Sequence, residues 1–134
     1  MILGTGTDLA EVDRTLAAVD GPRGPRFRAR VYTDAEVAYC ESRRRARGPS
    51  YAARFAAKEA TMKALGVGWG RHAGWAEIEV RRERGGRPFV VLSGAAQRTA
   101  ERLGITHFHL SLTHTAQLAS AFVVAERRPA STAG

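Results

Sequence analysis

Residues 2–12, ILGTGTDLAEV, place small or apolar side chains at every second position, the period of a strand with one buried face. A short helical stretch follows from about Arg14, and the Gly/Pro run GPRGP at 21–25 predicts a loop, the candidate mobile segment of the chain. Thr33-Asp34-Ala35-Glu36 has the spacing of a capping box, in which the Thr hydroxyl and the Glu carboxylate satisfy free N–H groups, so a helix is expected over 34–46. Pro49-Ser50 then opens a second helix through YAARFAAKEATMKAL, rich in strong helix formers and closed by Gly66. Residues 75–82 and 88–92 flank Gly85-Gly86 and read as a hairpin, and 93–103, ended by Gly104, suits a helix. A second hairpin joins 107–114 to 119–126, with Phe122, Val123 and Val124 marking a buried strand. The sum is one α+β domain over 1–128, a largely antiparallel sheet packed with a long central helix, and a small-residue tail at 129–134 expected to be disordered.

Three polar side chains interrupt the apolar rows. Alternation puts Asp8 on the face of Ile2, Gly4, Gly6, Ala10 and Val12, where a carboxylate needs a partner; a slipped register or bulge would turn it outward instead. Glu59 shares a helix face with Phe55, Ala56, Met62 and Lys63, which fits either an inward carboxylate or an exposed Glu–Lys pair one turn apart. His114 falls in register with Phe108, Leu110 and Leu112, and His107 and His109 on the opposite face; a hydrogen-bonded core imidazole and a ligand contact are both open.

With 134 residues, 44% hydrophobic and 25% charged, the chain suits one globular domain. The opening MILGTGTDLAEVDR has no cationic segment followed by an apolar run, so neither a signal peptide nor a membrane span is expected and the location expected is cytoplasmic. Cys40 is the single cysteine, so the chain forms no internal disulfide and the thiol is expected to be buried and structural. The formal charge of +8 predicts attraction to an anionic partner: nucleic acid, a phosphorylated ligand or an acidic protein. Of the 21 basic residues only Lys58 and Lys63 are lysines, which hints that a compact ammonium is useful in that segment.

Two inward carboxylates without a histidine or cysteine cluster suit Mg²⁺, which takes oxygen ligands and completes its shell with water and substrate phosphates. Zinc is disfavoured, because His109 and His114 point to opposite faces and no cysteines support them. Gly4-Thr5-Gly6 is not a phosphate-binding P-loop, which needs GxxxxGK[ST].

GTGTDLAEVDR and RFAAKEATMKALG resemble the opening and the central segment of the holo-acyl-carrier-protein synthases, the second match being the more specific. WAEIEV, GGRP and HLSLTHTAQLASAFVVAE follow in the family's order, so the resemblance spans residues 2–126. It implies the 4'-phosphopantetheinyl transferase fold and transfer of 4'-phosphopantetheine from coenzyme A to a serine of an acidic acyl carrier protein, releasing adenosine 3',5'-bisphosphate, in fatty-acid or polyketide biosynthesis. It implies Asp8 and Glu59 as Mg²⁺ ligands and Lys63 as a further catalytic group. Coenzyme A would contact Arg54, Lys63, Gly66, Pro88 and His114, and the carrier would face Arg14 and also Arg26 and Arg28. It also implies a homotrimer with active sites between neighbours. Val67 stands where the family often has Thr, and GRP where GKP is common, which bears on contacts to the nucleotide half of coenzyme A and not on the metal site. Two rivals remain: a basic nucleic-acid-binding protein suggested by the RRRAR run, for which inward Asp8 and Glu59 have no use, and a coenzyme A-binding scaffold without turnover.

Overall fold

A computed structural model describes residues 1–130; the predicted tail at 129–134 therefore lies largely outside the described residues, and 129–130 have no regular structure. Strand β1 (Ile2–Glu11) leads into helix α1 (Val12–Asp20) and helix α2 (Gly24–Val31). Helix α3 (Asp34–Ser42) and a 3₁₀ turn at Arg44–Ala46 precede the long helix α4 (Arg47–Leu65). After the 3₁₀ turn Trp75–Glu77 come β2 (Ile78–Arg82), β3 (Pro88–Leu92), helix α5 (Gly94–Leu103), β4 (His107–His114) and β5 (Leu118–Glu126). One antiparallel sheet has the order β1-β5-β4, and β2 and β3 form a separate antiparallel hairpin.

The alanine-rich helix α4 is the axis of the molecule. Ala52, Ala56, Ala57, Ala60 and Ala64 are buried against Ala10 of β1 and Ala119, Ala121, Val123 and Ala125 of β5. Small side chains let helix and sheet approach closely, and Gly4 and Gly6 carry this furthest: a Cβ on either would be driven into the carbonyl oxygen of Ala64 or Ala60. The Gly-Thr-Gly run is therefore a packing device that lays β1 against α4, not a phosphate loop. Gly66 ends α4 in the left-handed conformation, at φ 74°, as expected of its C-cap.

Several boundaries differ from the sequence pattern, each for a local reason. The 21–25 run is not simply a loop, because Gly24-Pro25 begins α2, where proline's fixed φ and missing N–H suit the first helical turn. The capping box is present, with Glu36 N donating to Thr33 Oγ1 and Thr33 N to Glu36 Oε1, but its helix stops at Ser42. Arg44 then takes a positive φ of 50°, and α4 starts at Arg47, two residues ahead of Pro49, which sits harmlessly in its first turn. Trp75–Glu77 forms a 3₁₀ turn, so the strand expected over 75–82 begins at Ile78. In β5, Val123 is buried as expected and Phe122 is exposed, because alternation turns Phe122 to the outer face of the sheet. Ile2 is likewise exposed rather than aligned with the buried row, the register being shifted between Ile2 and Gly4.

Candidate active site

Asp8 points inward as the alternation predicts, since the register shift in β1 ends before it and Gly6 and Ala10 on either side are buried. Its Oδ1 accepts from Lys63 Nζ at 3.1 Å, and the same ammonium donates to the Thr7 carbonyl at 2.9 Å. The ammonium is open to solvent, the Lys63 side chain being 55% exposed, while Asp8 is 18% exposed. Asp8 and Glu59 line one cleft of about 420 Å³ between the end of β1, α1 and α4, together with Arg14, Phe27 and Phe55. Glu59 does not make an exposed pair with Lys63: its Oε1 accepts from the indole N–H of Trp75 at 2.7 Å.

This donor set fits Mg²⁺. Two carboxylates share a half-apolar cleft, and no cluster of three ligating side chains exists among the described residues to select a softer metal. The rest of an oxygen shell would come from water and the diphosphate of a substrate.

The remaining predicted residues do not all meet there. Arg54, Pro88 and His114 line a second cleft of about 220 Å³ between α3, α4, the β2–β3 hairpin and β4. Arg54 is almost fully buried; its Nη1 donates to the Ser50 carbonyl at 3.4 Å, while its Nε has no hydrogen-bond partner among the described residues, an uncommon state for a cationic donor and one that suits an anion. Its guanidinium lies 4.1 Å from the ring centroid of Tyr39, and Arg43 and Arg82 lie 5.5 and 5.7 Å from the same ring. Three arginines around one phenol ring form a cationic pocket. His114 sits at the exposed end of its apolar row, as a cleft-lining residue rather than a core imidazole. Gly66 serves as the cap of α4 and lines neither cleft.

Sequence reasoning missed Tyr39, Arg43 and Arg82 because charged residues on a helix end and a hairpin carry no periodic signal; only their shared ring reveals them. Arg43 opens the RRRAR run that suggested nucleic acid. On α2, Arg26 is exposed, whereas Arg28 is half-buried and donates to the Val19 carbonyl, fastening α2 to the end of α1.

Lys58 and Glu36 form a buried ion pair that lines neither cleft. Lys58 Nζ donates to Glu36 Oε1 at 2.6 Å and to the carbonyls of Ile78 and Trp75 at 2.6 and 3.1 Å, while Glu36 Oε2 accepts from Val80 N at 2.9 Å. Burial holds the Lys58 ammonium below its ordinary value and the Glu36 carboxylate pushes it back up. Cys40 is buried as expected, and burial pushes its thiol up to about 12, so it is inert.

The chain matches the model of the 4'-phosphopantetheinyl transferase superfamily over residues 4–123. It is 49% identical over 126 residues to a holo-[acyl-carrier-protein] synthase of Solibacter usitatus, covering 94% of this chain and 99% of the relative. Among solved structures, the holo-[acyl-carrier-protein] synthase of Neisseria meningitidis superposes with a TM-score of 0.85 at 31% identity, covering 95% of this chain and all of that one. That of Bacillus anthracis, solved in complex with CoA (3',5'-ADP), gives a TM-score of 0.78 at 32% identity over 96% of this chain and 99% of its own. With the two motif segments forming the β1–α4 contact that seats Asp8 and Glu59, the chain belongs to the holo-[acyl-carrier-protein] synthases, enzymes of the 4'-phosphopantetheinyl transferase superfamily.

Proposed function

We propose that this enzyme transfers 4'-phosphopantetheine from coenzyme A to a serine of an apo-acyl carrier protein in an Mg²⁺-dependent reaction that releases adenosine 3',5'-bisphosphate. The observation that carries the reading is the pair of clefts: one with two inward carboxylates, of which Asp8 is bonded to the solvent-open Lys63 ammonium, the other with a buried arginine whose Nε has no partner among the described residues, beside two more arginines. The first suits the diphosphate and the reacting phosphorus, the second the 3'-phosphate and adenine of the nucleotide half.

Asp8 and Glu59 would hold the metal, which when bound neutralises charge on the transferring phosphoryl group. Lys63, fixed by Asp8 and the Thr7 carbonyl, places an ammonium beside the same group and stabilises charge that grows as the bond to the departing nucleotide breaks. The serine oxygen forms the new bond to phosphorus, its proton passes to water in the open cleft, and adenosine 3',5'-bisphosphate leaves with the electron pair of the broken P–O bond. Arg54, Arg43 and Arg82 bind the nucleotide end by charge, with Pro88 and His114 on the cleft wall.

Arg14 lines the first cleft, and Arg26 and Arg28 lie on the neighbouring helix, so a basic surface adjoins the place where the serine must enter; an acidic carrier protein matches it. The separation of the two clefts on one chain supports a homotrimer in which neighbouring copies complete each site. Leu3, Leu9, Leu118 and Phe122 supply a contact surface: they share the outer face of the β1-β5-β4 sheet, each at least 36% exposed. No helix among the described residues is long and apolar enough to cross a membrane, and a cytoplasmic location, in fatty-acid or polyketide biosynthesis, goes with this substrate pair.

Chromatographic quantification of adenosine 3',5'-bisphosphate tests the reading. Its release should require coenzyme A, apo-carrier and Mg²⁺ together, and should fall at least tenfold in Arg54→Ala at low coenzyme A. Release without carrier, or none with any carrier, contradicts it.

A further inference from the structure

Trp75 is the unexplained neighbour of the metal-site carboxylate. Its indole N–H donates to Glu59 Oε1 at 2.7 Å, while Glu59 Oε2 accepts no hydrogen bond among the described residues and is left for another ligand. The indole does not reach Glu59 by chance of rotamer, because its turn is fastened on every side. Lys58, the residue before Glu59, donates to the Trp75 carbonyl at 3.1 Å, so consecutive residues of α4 hold Trp75 by its backbone and by its ring.

The rest of the turn is equally fixed. Glu77 accepts from Gly74 N at 2.7 Å and from Ala95 N at 2.8 Å, and its carbonyl accepts from Ser93 N at 2.9 Å. The ring is stacked on Phe55 at 6.2 Å and on Trp69 at 5.0 Å between centroids, and Arg30 lies 4.3 Å over Trp69.

We propose that Trp75 is a positioning residue for the reaction: its fixed indole N–H occupies one oxygen of Glu59 and presents the other to the metal. Outer partners of this kind orient a ligand before the ion arrives, and their loss typically weakens metal affinity about 10–100-fold. The inference rests on Glu59 being a metal ligand. The competing account is that the indole simply found an acceptor in a half-buried place, in which case only stability depends on it.

Trp75→Phe separates the two, since it keeps an aromatic ring for the stack and removes the N–H. Binding of Mn²⁺ alone, followed by loss of the free-ion electron paramagnetic resonance signal, should weaken about tenfold in Trp75→Phe. In turnover the Mg²⁺ concentration for half-maximal rate should rise by a similar factor, with kcat at saturating Mg²⁺ within about twofold of wild type. Glu59→Gln is the reference. If it abolishes Mn²⁺ binding and Trp75→Phe binds as wild type does, the positioning role is overturned and the metal site stands. If Glu59→Gln also binds as wild type does, the metal reading falls and takes this one with it.

A second protein covers the case in which Trp75→Phe does not fold. The chain has two tryptophans, so Trp69→Phe leaves Trp75 as the single tryptophan, read apart from the tyrosines by excitation at the red edge of the indole band. Saturating Mg²⁺ should shift its fluorescence, and adding Glu59→Gln should remove the shift; an emission indifferent to Mg²⁺ contradicts the proposal.

Discussion

Lys58 and Lys63 differ in kind, although the sequence offers them as one hint. Lys63 is exposed and reaches Asp8; Lys58 is buried, with three acceptors converging on its ammonium. A guanidinium could not match that compact arrangement, which explains this lysine in a chain that otherwise uses arginine. Replacing Lys58 with Met leaves the Glu36 carboxylate buried and unpaired, and urea unfolding should show a loss of about 3–5 kcal/mol. Adding Glu36→Gln should recover part of it; an unchanged midpoint in Lys58→Met contradicts the buried pair. The sequence displayed Glu36 only as the fourth residue of a capping box, because periodicity reports a side chain's direction and not its long-range partners. Asp8 and Glu59 were legible for the opposite reason: each breaks an apolar row on its own element, and the row is itself the signal. Trp75 was not legible as their companion, since its tie to Glu59 depends on a 3₁₀ turn where the residue pattern suggested a strand.

Helices α1, α3 and α4 are joined at one point by Arg47, which bonds both carboxylate oxygens of Asp20, at 2.6 and 2.8 Å, and both of Glu41, at 3.0 Å. Glu41 also accepts from the Tyr51 hydroxyl at 2.6 Å. Hydrogen bonds from Arg47 hold both carboxyls below their ordinary values of 3.8 and 4.5. A carboxyl whose folded value is depressed adds stability above its unfolded value, and that stability is lost as pH falls through the lower folded value. Asp20 and Glu41 are partly solvated, so the junction contributes only about 1 kcal/mol, a few degrees in Tm. Arg47→Ala should therefore melt a few degrees below wild type at pH 7, and the gap should close below pH 3.8. A gap independent of pH would assign the effect to packing of the arginine stem instead. At this scale the strands and the two main helices were legible, since hydrophobic period and caps set them. Helix α2 was hidden because Gly24-Pro25 signals a turn and a helix start in the same letters.

Across the whole molecule, several arginines take up separate tasks: Arg54, Arg43 and Arg82 meet at Tyr39, Arg47 joins helices and Arg14 edges the first cleft. The outer face of the three-stranded sheet, carrying Leu9 and Phe122, is the surface expected to close against other copies. Light scattering should give three times the 14.5 kDa chain mass, and Phe122→Arg should yield folded monomers with little activity. A fully active monomer would contradict sites completed between neighbours. The central claim, phosphopantetheinyl transfer at a metal site built on Asp8 and Glu59, is tested most directly by the intact mass of an apo-acyl carrier protein after incubation with the enzyme, coenzyme A and Mg²⁺. The account predicts a gain of one phosphopantetheine group on the carrier, absent with EDTA and absent with Asp8→Ala; no gain on any of several carriers, or the same gain with Asp8→Ala, would contradict it.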